Sequence, residues 1–147
     1  MRRLFLVCCC LIAAVSARAD VVDIDNAELA RLAAAGVPVI DIRTRAEWEE
    51  TGILPGSHLL TFFDERGKAD APAWLDRARA IAKPGEPLVV ICRSGNRTRP
   101  LSQFLSQQGG YVKVYNVTNG IQGWAKEGRP MVSAATALAA CRAARNC

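Results

Sequence analysis

The chain has 147 residues, 19 of them basic and 14 acidic, for a net charge of +5, and half of it is hydrophobic. That is enough for one domain with a proper core. The basic residues form no stripe interleaved with aromatics, which excludes a nucleic-acid-binding surface. No cysteine and histidine spacing suits zinc, so neither a metal nor an organic cofactor is expected.

The chain opens as a secretory leader. Arg2 and Arg3 are followed by an apolar run from Leu4 to Val15, and Ala17-Arg18-Ala19 fits a small-x-small cleavage site. The run is shorter than the roughly 20 residues a bilayer span needs, so no stable membrane span is expected after cleavage. Residues 1–19 are therefore expected to be a signal peptide, and the protein periplasmic or secreted. Cys8, Cys9 and Cys10 would leave with the leader. So would Arg2, Arg3 and Arg18, leaving 16 basic and 14 acidic side chains, a net of +2.

Asp25 and Glu28 have capping-box spacing and open a helix that ends at Gly36. Val37 to Ile42 reads as a buried strand. Thr44 with Glu47 is a second capping box, so a helix carries Glu47 and Trp48 as far as Gly52. Pro55-Gly56 is a turn before a short strand, Ser57 to Leu60, which holds His58. Phe62 to Ala71 is polar and irregular. Trp74 to Ala82 is helical and closes at Pro84-Gly85. Leu88 to Ile91 is an apolar strand, followed by the loop Cys92 to Arg97 and a helix to Gln108. Tyr111 to Tyr115 alternates as a strand, and Ile121 to Lys126 is a last short helix. Residues 131–147 form an alanine-rich tail, either a helix packed on the domain or a loose end. Strands alternating with helices imply an α/β fold, a parallel sheet with helices on both faces.

The loop after Leu88–Ile91 carries the chemistry. Ligands in parallel sheets bind beyond the carboxyl ends of the strands, and Cys92 falls at such an end. Loop amides and a helix start make a cradle for an anion there, in which a cysteine becomes a nucleophilic thiolate. Arg93, Arg97 and Arg99 crowd the helix end where cations are least favourable, a broken rule that points to function. Without its leader the chain keeps three cysteines, Cys92, Cys141 and Cys147. An odd number in an exported protein suggests one bridge and one free thiol, with Cys141 pairing with Cys147. Six helical residues rise about 9 Å, beyond the roughly 7 Å limit for bridged Cα atoms. Such a bridge therefore forbids continuous helix from Cys141 to Cys147. Asn96-Arg97-Thr98 and Asn116-Val117-Thr118 match the glycosylation pattern and are read as chance.

Cys92-Arg93-Ser94-Gly95-Asn96-Arg97 resembles the six-residue active-site loop of rhodaneses, the thiosulfate-type sulfurtransferases. Val39 to Trp48 resembles that family's first signature. Tyr111 to Trp124, with Gly128 and Pro130 after it, resembles its closing strand and Gly-Trp helix. The resemblance runs over roughly residues 21–131 and implies a rhodanese domain at 20–130, with a central sheet of about five strands.

The resemblance also implies a sulfurtransferase with Cys92 as nucleophile. Cys92 would take sulfane sulfur from thiosulfate or another small anionic donor as a persulfide, then pass it to cyanide or a thiol. Arg93, Ser94, Gly95, Asn96 and Arg97 would hold the sulfur with their amides. Arg97 would close the loop and contact the anion, while Arg93 would sit at the rim. Asp41 and Arg43 would brace the loop as an ion pair, and His58 would stand apart from the chemistry. Two alternatives have the same fold. One is a phosphatase or arsenate reductase, whose loop is usually one residue longer; the other is a binding module without turnover.

Overall fold

The computed structural model describes residues 20–144. Along them run β1 (Asp20–Ile24), α1 (Asn26–Ala34), β2 (Val39–Asp41), α2 (Arg45–Thr51), β3 (His58–Leu59) and α3 (Ala71–Ile81). There follow β4 (Leu88–Ile91), α4 (Thr98–Gln107), β5 (Lys113–Val117), α5 (Gly120–Lys126) and α6 (Ala135–Ala144). The strands form one parallel sheet in the order β1-β5-β4-β2-β3. This is the α/β architecture that the alternation of elements predicts, and it makes β4 the central strand.

A central strand covered on both sides must be apolar at every position, and Leu88-Val89-Val90-Ile91 is fully buried. Its side chains alternate between two cores. Leu88, Val90 and Cys92 pack with Leu75, Ala78, Leu101 and Leu105 of α3 and α4. Val89 and Ile91 pack on the other side with Leu29, Leu32, Ile121 and Trp124 of α1 and α5.

Several elements differ from the sequence reading. β1 was not anticipated: Asp-Val-Val-Asp-Ile is a short edge strand with two acids, held by parallel pairing to distant β5. Asp25 caps α1 by accepting the Glu28 amide at 2.8 Å, but the Glu28 carboxylate turns to Arg31 instead of closing the box. α3 starts earlier than Trp74, with Asp70 as its cap and Pro72 in its first turn, where no amide is needed. β5 runs Lys113–Val117, because Tyr111 leaves the sheet to donate its buried hydroxyl to the Ala82 carbonyl at 2.7 Å.

Within the alanine-rich tail, residues 135–144 form a helix packed on the domain. Backbone bonds of 2.9 and 3.0 Å between Ile53 and Val132 bring the chain alongside the turn after α2. Ala134 and Leu138 then cover Trp48, Ile53 and Leu59. Cys141 lies on α6 and is disulfide-bonded. Cys147 and the expected leader lie outside the described residues. No helix among the described residues is long and apolar enough to cross a membrane.

Candidate active site

β4 delivers Cys92 to the carboxyl end of the central strand, and the loop beyond it is anchored through its carbonyls. The Ile121 amide donates to Cys92 O at 2.8 Å and the Gln122 amide to Arg93 O at 3.1 Å. Two glycines allow this approach. Gly120 has φ +54°, and a Cβ there would collide with the carbonyls of Arg93 and Cys92; Gly95 has φ +88°, and a Cβ there would strike the Thr118 carbonyl.

The sulfur is fully enclosed, 0% exposed, and is a free thiol. The Gly95 amide donates to Cys92 Sγ at 3.2 Å. Thr98 Oγ1 lies 3.5 Å from the sulfur and donates to Gly95 O at 3.1 Å. Among the amides expected to cradle a transferred sulfur, that of Gly95 is aimed at Cys92 Sγ itself. The Ser94, Asn96 and Arg97 amides make no hydrogen bond among the described residues. The side chains of Arg93, Ser94 and Asn96 are exposed at the rim. A cavity of about 160 Å³ beside the loop is lined by Arg93, Gln122, Glu50, Thr51, Ile121 and Met131 among others.

The Arg97 side chain bridges the loop to α2. Its guanidinium is clasped by Glu47 of α2, Nη1 to Oε2 at 2.9 Å and Nη2 to Oε1 at 2.6 Å. The same carboxylate accepts the Thr44 amide at 3.0 Å and so completes the α2 capping box. Burial alone would raise the Glu47 pKa, but Arg97 and Thr44 outweigh it and bring the carboxyl down to about 2. The Arg97 pKa is raised, chiefly by Glu47 and in smaller part by Cys92. The loop is thus tied to α2 by a two-pronged ion pair. Sequence reasoning placed Glu47 in its capping box but missed this contact, which joins residues far apart in the chain. Thr98 was noticed only as part of a chance glycosylation pattern. It is buried, as is Asn116 of the second pattern, whose Nδ2 donates to Asp23 at 2.7 Å.

Asp41 and Arg43 form an ion pair that is 0% and 1% exposed, with Arg43 Nη2 2.7 Å from Asp41 Oδ2. Arg43 also donates to Thr51 Oγ1 at 2.7 Å and to Gly52 O at 2.8 Å. Its charge is compensated and all its bonds are structural, so it locks the end of β2 to α2, the helix that carries Glu47. His58 lies on β3, with β2 between it and β4. Trp74 and Trp124 are buried, and their ring N–H groups donate to Leu60 O and Pro130 O at 3.0 and 2.8 Å. Among the described residues no group of three metal-ligating side chains occurs.

A family model, that of the Rhodanese-like domain, matches residues 25–127. The chain belongs to this family. A sulfurtransferase of Allochromatium vinosum is 37% identical over 98 residues, which cover 66% of this chain and 79% of that protein. Thiosulfate sulfurtransferase GlpE of Actinobacillus pleuropneumoniae serotype 3 is 43% identical over 49 residues, 33% of this chain and under half, 44%, of that relative's length. A rhodanese-related protein from Thermoplasma volcanium superposes with a TM-score of 0.57 at 30% identity, covering 76% of this chain and 97% of its own. The rhodanese-like fold and a kinship with proteins named as sulfurtransferases are thereby shown.

Proposed function

We propose that this rhodanese-like domain is a sulfurtransferase working by double displacement through a Cys92 persulfide. The observation that carries the reading is the free sulfur at the end of the central strand, with the Gly95 amide donating to it at 3.2 Å. An N–H aimed at a sulfur steadies the negative charge that builds there as an S–S bond to it breaks, and the thiolate is the nucleophile. Attack by Sγ on the sulfane sulfur of thiosulfate forms an S–S bond and releases sulfite with the bonding pair. An acceptor nucleophile, cyanide in assay or a thiol in life, then bonds the outer sulfur. The S–S bond breaks and its electron pair returns to Cys92. The two displacements balance without an external oxidant or reductant. Exposed Arg93 at the rim supplies positive charge that draws in a small anionic donor.

The test is the intact mass of purified protein after thiosulfate treatment. A gain of about 32 Da, one sulfur atom, is expected, with loss on adding cyanide and no gain in Cys92→Ser. No gain in the native protein overturns the reading. The proposal includes export, which rests on the basic start, the apolar run from Leu4 to Val15 and the small-x-small site Ala17-Arg18-Ala19. A periplasmic fraction or medium containing no chain that begins at Asp20 would sink that part.

A further inference from the structure

We propose that the Thr98 hydroxyl is a rotary hydrogen-bond switch for Cys92, catalytic in the sense that it touches the reacting sulfur. It donates to Gly95 O while the sulfur is protonated, and turns to donate to Sγ when the sulfur is an anion. Thr98 is the first residue of α4 and is fully buried. Its Oγ1 stands between two acceptors, 3.1 Å from Gly95 O and 3.5 Å from Cys92 Sγ. A hydroxyl has one proton to give and lone pairs to receive with. Facing a thiol, it accepts the S–H and gives its own proton to Gly95 O, which satisfies all three groups. Facing a thiolate, it meets a group that can only accept.

The rotation costs little at the far end, because Gly95 O keeps a second donor, the Arg99 amide at 3.2 Å. A bond to an ionised sulfur is stronger than one to a neutral carbonyl, more so away from water, and this gives the rotation its direction. No proton passes between residues; the thiol proton leaves to a solvent base. The second half of the inference rests on the sulfur-transfer reading. When the persulfide is discharged, the S–S electron pair collapses onto Sγ, and the turned hydroxyl receives that charge as it forms.

The test compares Thr98→Val, which keeps the shape and loses the hydroxyl, with Thr98→Ser, which keeps the hydroxyl. Ser102→Ala is the control, because Ser102 Oγ is buried one turn further along α4 with no partner among the described residues. The first readout is the rate of Cys92 alkylation by iodoacetamide across neutral and alkaline pH. For Thr98→Val the profile is expected to move by about one pH unit towards alkali, and the two curves to cross. The variant is slower on the acid side, where less of its sulfur is ionised. It is faster, about threefold, on the alkaline side, where an unsolvated thiolate is the better nucleophile. Thr98→Ser and Ser102→Ala should follow the native curve. The second readout is single-turnover loss of persulfide sulfur to cyanide, expected to fall about tenfold in Thr98→Val. A folded Thr98→Val with the native alkylation profile overturns the proposal; if it does not fold, Thr98→Ala carries the same expectation. Should thiosulfate leave the native mass unchanged, the sulfur-transfer reading fails, while the alkylation profiles still decide the hydroxyl.

Discussion

Cys92 owes its setting to residues with no chemistry of their own. Gly95 at φ +88° lets its amide reach the sulfur while its Cα lies against the Thr118 carbonyl. Gly95→Ala should therefore destabilise the fold by about 2 kcal/mol or more and abolish selective alkylation of Cys92, as measured by urea unfolding and peptide mapping. Glu47 offers a second test. Gln can still close a capping box, so Glu47→Gln removes the ion pair to Arg97 and keeps the cap. It should cost about 1 kcal/mol near neutral pH. The folded-state pKa of Glu47 is depressed from 4.5 to about 2. The stabilisation is thus fully present above pH 4.5 and fades as the pH falls towards about 2. Urea midpoints of the native protein and Glu47→Gln should converge over that interval; a constant gap refutes the assignment. The apolar run and the six-residue loop made the thiol legible in sequence. Glu47 and Thr98 were not legible as partners, because one is brought in by folding and the other contributes a hydroxyl whose direction no spacing encodes.

At the level of elements, what could be read was what is locally determined. The Thr44 and Glu47 capping box and the glycine after α2 are signals carried within a few residues, and α2 forms where they place it. β1 is the opposite case. Its five residues gain their structure from hydrogen bonds to β5, a contact absent from any local window. The tail could not be decided for a similar reason: an alanine-rich stretch becomes an ordered helix only when something apolar lies beneath it. Here Leu138 meets Trp48, Ile53 and Leu59. Leu138→Ala should cost about 2 kcal/mol by chemical denaturation while leaving Cys92 alkylation unchanged, since Leu138 packs in a cluster separate from the one that holds Cys92. A change below about 0.5 kcal/mol would mean that α6 contributes nothing to the fold.

Across the whole molecule, alternation of elements yields a parallel sheet, but strand order needs three dimensions: β2 and β4 are neighbours although β3 and α3 lie between them in the chain. The β1 edge contributes to stability. Relative to a chain that begins at Asp20, removal of residues 1–24 strips β1 from β5 and should lower the melting temperature by about 5 °C or more, as read by calorimetry or circular dichroism.

The walls around the sulfur carry one more consequence, for whatever empties it. A reactive atom with no outward surface selects by girth before it selects by chemistry. A slim ion or a lone thiol on an extended arm needs only a small parting of those walls to reach it, whereas a thiol lying flush with a folded surface would be held off. A macromolecular recipient would need its sulfhydryl on a protruding, pliant stalk.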